Sequence, residues 1–255
     1  MSEAVLFDAR EDGIAIITLN RPEARNALGK EIREGLFVAW ERFERDPALR
    51  VAILTGAGDK AFCAGGDLKE MMETGMGVPP RDMFALPGDT VELTKPTIAA
   101  VNGVAFAGGW MIAQACDLCV ASTSAKFAIT EVKVGRSSPW AAPLIHMIPQ
   151  RIMMELVLTG KAISAQRAYE IGLVNRLAEP TQLLDVALEL AAEILEGAPL
   201  SVRAARDTVM LATEMGRSAA LAAARHASEH TYRSQDAQEG PRAFAEKRRP
   251  RWTGR

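Results

Sequence analysis

The sequence is short of the parts that many functions need. Cysteine occurs three times in 255 residues, as Cys63, Cys116 and Cys119. Three cannot make a complete disulfide set, so a cross-linked secreted scaffold is excluded and a reducing cytoplasm fits. Cys116 and Cys119 form one C-x-x-C. A structural zinc site takes about four ligands and no second pair exists, so two buried small apolar residues are the better reading. Histidine also occurs three times. His226 and His230, four apart on a predicted helix, share one face, yet no H-E-x-x-H and no third ligand accompany them. Two solvated polar residues are expected there, and no metal site. Neither sign of charge dominates: 30 Lys and Arg against 32 Asp and Glu leave a net charge of −2. That gives no argument for nucleic acid or an anionic membrane as partner. The basic residues are dispersed until the tail, where Lys247, Arg248, Arg249 and Arg251 cluster.

Other absences narrow the field further. The N-terminal MSEAVLFDAREDG carries acidic residues where a signal peptide needs a basic start and a long apolar stretch. Residues 97–116 are uncharged over about the length of a membrane span. They include Asn102, Gln114 and three glycines, and the run stands alone, so a buried strand, turn and helix is expected and no membrane. No G-K-[ST] phosphate loop occurs. Gly56–Ala61 matches G-x-G-x-x-A after a strand, but the motif must open directly into a helix whose N-terminus holds a pyrophosphate. Phe62–Gly66 is read instead as more loop, so a dinucleotide site is not expected.

What is present is ordinary for a soluble globular protein: 48% hydrophobic and 24% charged residues, in a chain long enough to bury a sizeable core. Residues 13–19 and 51–55 read as strands, the second as one covered on both faces. Residues 28–45 have helical spacing, with Ile32, Leu36, Phe37, Trp40 and Phe43 on one side. A short helix is expected to start near Asp67, whose side chain suits an N-cap. Residues 74–90 read as a mobile loop. A strand at 97–101, a glycine turn, a helix at 109–115 and a strand at 118–121 come next. Residues 136–149 hold three prolines and start a short helix. From 151 on the pattern is helical: 151–159, 164–171, 182–196, 200–213 and 217–232. The chain is α/β for two thirds of its length and then mainly helix.

Two glycine turns, Cys63-Ala64-Gly65-Gly66-Asp67 and Phe106-Ala107-Gly108-Gly109-Trp110, each follow a strand and lead toward a helix. Glycine there can serve a tight turn. It can also expose an N–H to a ligand, and two such donors converging from separate loops would bind a negatively charged oxygen. Spacing alone leaves both readings open.

Further motifs lie in order along the chain: Asn20-Arg21-Pro22 and Asn26-Ala27-Leu28; Leu54-Thr55-Gly56; Phe62 to Leu68; Lys95-Pro96; Ala99 to Gly103; Gly108-Gly109; Cys116-Asp117; Glu131; Leu158-Thr159-Gly160; Gly172-Leu173-Val174; and Glu239-Gly240 with Phe244 to Arg248. In these motifs the sequence resembles the crotonase family, also called the enoyl-CoA hydratase/isomerase superfamily. The resemblance implies an α/β fold, a spiral of ββα units over residues 1–195, with a C-terminal helical trimerisation region at 196–255. It implies a homotrimer or a dimer of trimers. It implies an acyl-coenzyme A thioester as ligand and no cofactor beyond the coenzyme A carried by the substrate. Gly66 and Gly108 match the two backbone donors to the thioester oxygen. Arg25, Ala27, Ala64, Gly65 and Leu68 match coenzyme A-binding positions. Phe244 and Lys247 match C-terminal residues that help hold coenzyme A, often from a neighbouring subunit; a solvated charge is the equal alternative for Lys247.

The resemblance also exposes a departure. The hydratases of the family use two glutamates, because water must be activated while a proton moves at the α-carbon. The second matches Glu131; the first falls on Met111, which cannot transfer a proton. Trp140 and the prolines near it stand where hydratases usually have a Gly-rich segment, and are expected to reshape the acyl pocket. The isomerases of the family use one glutamate at the position of Glu131. The leading expectation is therefore an enoyl-CoA isomerase or an atypical enoyl-CoA hydratase. Another crotonase chemistry (acyl-CoA hydrolase, decarboxylase or C–C lyase) and a non-catalytic CoA-thioester-binding protein are the alternatives. Asp67, Glu70, Asp117 and His146 are possible substitute acids, with Asp67 and Asp117 better read as caps and braces of turns.

Overall fold

The structure, a computed structural model, describes residues 3–75 and 77–255. The chain opens with an antiparallel hairpin, β1 (Val5–Ala9) and β2 (Ile14–Leu19), with Val5 opposite Leu19. Helix α1 (Lys30–Arg45) comes next. Its apolar residues recur at helical spacing, and Ile32, Leu36, Trp40 and Phe43 are all buried.

The next elements come as strand pairs. β3 (Val51–Gly56) and β4 (Ala61–Cys63) lead into helix α2 (Leu68–Thr74). β5 (Thr97–Val101) and β6 (Val104–Phe106) lead into helix α3 (Gly108–Gln114). β7 (Leu118–Ser122) and β8 (Lys126–Ala128) lead into a 3-10 turn at Glu131–Val134 and a 3-10 helix at Pro139–His146. Helix α4 (Gln150–Thr159), β9 (Ile163–Ser164), α5 (Ala165–Glu170) and β10 (Arg176–Ala178) complete this part. The first strand of each pair joins a six-stranded sheet of order β1-β2-β3-β5-β7-β10, and the second joins a four-stranded sheet of order β4-β6-β8-β9. Within each sheet β3, β5 and β7, and likewise β4, β6 and β8, run parallel. The chain thus returns to each sheet once per turn, as the ββα spiral requires. β5 is buried along its whole length, which is why it reads as a continuous apolar run rather than an alternating one.

The chain divides into two compact units. One comprises the residues up to Leu93 together with Thr97–Ala191; the other comprises Thr94–Pro96 and Ala192–Arg255. α6 (Leu183–Leu195) spans the division. In the second unit α7 (Pro199–Glu214) packs against α8 (Arg217–Tyr232), and α9 (Asp236–Ala245) follows. The tail folds back onto α9: Arg248 grips Glu239 with its two Nη atoms at 2.6 and 2.9 Å. Asp236 accepts from the backbone N–H groups of Thr253 and Gly254.

Several expectations need correction. Ala61–Cys63 is a fully buried strand, not loop. Three residues carry too little pattern to show a period, and the same reason hid β6, β8, β9 and β10. The hairpin strand β1 and helix α9 were likewise outside the predicted elements; Gly240 and Pro241 interrupt the helical signal of α9. Residues 74–90, expected as loop, begin on Thr74, the last residue of α2, and include a 3-10 turn at Arg81–Met83 and a turn in which the Thr90 hydroxyl donates to the Phe84 carbonyl and accepts from the Leu86 N–H. Met76 lies outside the described residues. Among the described residues no helix is long and apolar enough to cross a membrane.

Candidate active site

Three loops leave the four-stranded sheet from the same end. Because β4, β6 and β8 are parallel neighbours, their C-terminal ends lie side by side. The chain continues from these ends into Ala64–Gly66, Ala107–Gly108 and Ile129–Glu131. Ligand sites in parallel sheets collect at such carboxyl ends, and here that edge gathers both glycine turns and Glu131.

The two glycine turns touch. Gly65 has φ +102, and a Cβ there would stand 3.0 Å from the Ala107 Cβ and 3.5 Å from the Gly108 amide nitrogen. Gly109 is tighter still, since a Cβ would meet the Cys63 carbonyl oxygen at 2.0 Å. α3 can therefore approach β4 only because that residue is glycine. Ala107 turns the chain with φ 49 and ψ −121, a conformation that costs a residue with a side chain about 1–3 kcal/mol. Its N–H donates to the Ala128 carbonyl at 2.8 Å, which continues the β6–β8 pairing up to the turn. Among the described residues neither the Gly66 nor the Gly108 amide donates to a protein acceptor.

The segment around Arg25 is tied to the first glycine turn by its backbone. Ala64 N–H donates to the Arg25 carbonyl at 3.0 Å, and Leu28 N–H donates to the Gly65 carbonyl at 2.8 Å. Arg25, Ala27, Ala64 and Gly65 are thus brought together, while the Leu68 side chain stays 62% exposed at the start of α2. Arg25 also lines a small open pocket of about 140 Å³ with Pro22, Ala57, Gly58, Asp59, Lys60 and Ala61. Phe244 and Lys247 lie in the second unit, at and after the end of α9, both exposed.

Glu131 heads its 3-10 turn. Its Oε1 accepts from the Trp140 indole N–H at 2.7 Å, while its Oε2 is buried and has no partner. Burial pushes the carboxyl above the ordinary carboxylate range; its own backbone N–H and the Trp140 indole oppose that rise. Trp140 is held in turn. The Gln114 amide donates to its backbone carbonyl at 2.6 Å, so the last residue of α3 fixes the tryptophan that fixes the glutamate. Gln114 Oε1 and Trp110 Nε1 are also buried without partners. Met111, one turn before Gln114, is 4% exposed and part of the hydrophobic core.

The other acids are occupied. Asp67 caps α2, accepting from Lys69 and Glu70 N–H, and pairs with Arg21 at 3.4 Å. Glu70 pairs with Arg33 at 2.7 Å, and that guanidinium, ahead of the Lys30 backbone N–H, holds its carboxyl below the usual range. Asp117 accepts from the Thr97 backbone N–H at 2.8 Å and hydroxyl at 2.9 Å, bracing the start of β5. His146, His226 and His230 are exposed. Among the described residues no three His, Cys, Asp or Glu side chains gather as a metal site, and the three cysteines are free and buried.

Two residues of this arrangement were not legible beforehand. Gln114 gave one signal, a polar side chain in an otherwise uncharged apolar run. Asn26 is fully buried at φ 54 and joins the loops at 21 and 57 to the start of β4 at Ala61 through three hydrogen bonds.

A family model described as enoyl-CoA hydratase/isomerase matches residues 9–255. The (E)-benzylidenesuccinyl-CoA hydratase of Thauera aromatica is 40% identical over 253 residues, 94% of this chain and 96% of that protein. The carnitinyl-CoA dehydratase of Proteus mirabilis (strain HI4320) is 39% identical over 266 residues, covering 100% of each. Among solved structures, an enoyl-CoA hydratase from Mycobacterium tuberculosis H37Rv superposes with TM-score 0.90 at 42% identity, over 99% of this chain and 100% of that one. The enoyl-CoA hydratase EchA1 from Mycobacterium marinum gives TM-score 0.91 at 41% identity, over 99% and 100%.

Proposed function

The chain belongs to the enoyl-CoA hydratase/isomerase family of enzymes, and from that premise we propose that it moves a proton on an acyl-coenzyme A thioester with Glu131 as its one acid/base. The observation that carries this reading is the state of that carboxylate: one oxygen held by Trp140, the other buried and free, at a site where Met111 supplies no second carboxylate. In the leading form the substrate is a 3-enoyl thioester. Glu131 Oε2 takes a proton from the α-carbon, and the electron pair moves to the thioester oxygen. The Gly66 and Gly108 amides donate to that oxygen. Oε2 then returns the proton at the γ-carbon as the double bond shifts into conjugation. A carboxyl whose affinity for protons is raised by burial is suited to both halves of this cycle.

The hydratase and dehydratase names of the relatives favour a second reading, hydration of a 2-enoyl thioester. There Oε2 takes a proton from water as the water oxygen bonds to the β-carbon, and the enolate receives that proton at the α-carbon. In both readings Arg25 and Lys60 offer positive charge to the coenzyme A phosphates. Phe244 and Lys247 would reach the ligand from a neighbouring subunit of a trimer or a dimer of trimers. The exposed apolar side chains Val209, Met210, Leu221 and Tyr232 on α7 and α8 support such contacts, and light scattering would measure the assembly. The free, buried cysteines support a reducing, cytoplasmic setting.

The test is a pair of thioesters. Crotonyl-CoA losing its conjugated absorbance reports hydration; trans-3-hexenoyl-CoA gaining it reports isomerisation. Glu131→Gln is expected to abolish either reaction and spare coenzyme A binding; unchanged turnover refutes the role of Glu131. Gly108→Pro removes one oxyanion donor, for an expected loss of about 10²–10³ in kcat. A folded Gly108→Pro protein with full activity would sink the oxyanion assignment. Met111→Glu, run beside wild type, asks whether restoring a second carboxyl raises hydration.

A further inference from the structure

The hydrogen bonds around Glu131 form a chain that begins on α3. Gln114 Nε2 donates to the Trp140 carbonyl at 2.6 Å, and Trp140 Nε1 donates to Glu131 Oε1 at 2.7 Å. Glu131 Oε2 lies beyond the end of that chain, buried and unpartnered. A carboxylate has two chemically equivalent oxygens and rotates about its last torsion, whose preferences are broad. The indole N–H removes that equivalence: the oxygen it holds has one lone pair committed to the bond, and protonation there would weaken the bond, so the other oxygen is the favoured proton carrier. We propose that Trp140 is a positioning residue that commits Glu131 to proton transfer through Oε2 alone, with Gln114 tying that commitment to the helix that begins at Gly108.

The inference rests on the reading of Glu131 as proton carrier, and adds to it a reason for a tryptophan at position 140. The indole is a donor only and cannot accept. It can therefore hold Oε1 in either protonation state of Oε2 without competing for the proton. A hydroxyl or a histidine in its place could accept as well as donate, and the preference for one oxygen would weaken. The bond is also selective because no charged side chain acts on Glu131 more strongly: the causes that set its affinity for protons are burial, its own backbone N–H and Trp140. Lys133 and Arg136 near its turn, Arg151 and Glu155 on α4, and His146 on the 3-10 helix are not among them.

Trp140→Phe keeps the ring and removes the donor. The Glu131 carboxyl carbon can be followed by NMR in protein labelled at glutamate, with its signal assigned by its loss in Glu131→Gln. Removing a hydrogen bond from the charged form should move its titration upward by about one pH unit. With whichever of crotonyl-CoA and trans-3-hexenoyl-CoA wild type turns over, kcat should fall about tenfold while KM stays within about twofold. The pH–rate limb assigned to the base should move with the NMR titration. Gln114→Met leaves the indole in place and loosens its anchor, so a smaller shift in the same direction is expected; it serves as the test if Trp140→Phe fails to fold. A Glu131 titration unmoved in the folded variants overturns the inference whether or not a substrate is found. A moved titration beside an active Glu131→Gln protein supports the bond and instead refutes Glu131 as the acid/base.

Discussion

Gly65 and Ala107 stand close enough that a Cβ on the glycine would lie 3.0 Å from the alanine's Cβ. The same Cβ would lie 3.0 Å from the Phe106 carbonyl oxygen, which is backbone and cannot swing away. With φ at +102, Gly65 also holds a conformation that L side chains rarely adopt. Gly65→Ala should therefore cost about 2–4 kcal/mol, part from backbone strain and part from overpacking. It should also separate the two glycine turns and lower kcat more than it raises KM. Urea unfolding and steady-state kinetics on the same preparation check both; a variant as stable and active as wild type would show that the turns tolerate separation.

Glu131 should make stability depend on pH in an unusual direction for a carboxylate. Burial, the largest cause, raises its folded-state affinity for protons above the unfolded value. A raised pKa contributes stability that is present below the unfolded value and is lost as pH rises through the folded one. Glu131→Gln removes this dependence and keeps an oxygen for the Trp140 N–H. The variant should melt above wild type at pH 8 and level with it near pH 4. The gain is expected to stay under about 1 kcal/mol, because the group is partly exposed and solvent screens it. A gap that widens toward acid would contradict the assigned shift.

Much of this was legible in the sequence, for identifiable reasons. α1 showed itself because Ile32, Leu36, Trp40 and Phe43 repeat at helical spacing over 16 residues. β5 showed itself as Thr97 and four apolar residues bounded by Pro96 and Asn102. The glycine turns and Glu131 were found because their residue types sit in a recognisable order. The short strands of the second sheet were not, since three residues such as Ala61–Cys63 hold no period. The bond between Trp140 and Glu131 was beyond reach for another reason. It joins residues nine apart across an irregular segment, and which way an indole points there is decided by packing, not by spacing.

The three thiols should be inert in the folded protein. Burial pushes Cys63 and Cys119 up to about 12, and Cys116 is raised as well by burial and by Asp117 and Cys119. A thiolate is the reactive species, so neither ionisation nor access favours reaction at pH 8. Ellman's reagent should release no thionitrobenzoate from native protein and titrate three thiols after denaturation. Rapid reaction of any one without denaturant would contradict the burial of that residue.

Asn26 should be the costliest side chain in the loop from Arg21 to Leu28. Its Oδ1 accepts from the Arg21 N–H at 2.9 Å, and its Nδ2 donates to the carbonyls of Ala57 at 3.0 Å and Ala61 at 2.9 Å. It does this fully buried and in left-handed conformation at φ 54, which asparagine tolerates better than most residues. Asn26→Ala would strip the Arg21 N–H and the Ala57 carbonyl of this partner, leave the Ala61 carbonyl with the longer bond from Asn102 Nδ2 at 3.3 Å, and put alanine where it is strained, for an expected loss of about 3–5 kcal/mol. Asn26→Asp keeps the acceptor for Arg21 but points an anionic oxygen at two carbonyls, so it should be destabilised most at neutral pH and recover in acid as the carboxyl protonates and donates. The neighbouring backbone bonds from Ala64 to Arg25 and from Leu28 to Gly65 hang on the same loop. KM for the thioester should therefore rise in step with the loss of stability. Urea midpoints for the two variants at pH 5 and pH 8, set beside KM, test this; an Asn26→Asp protein whose deficit is independent of pH would show that the buried amide is not donating as described.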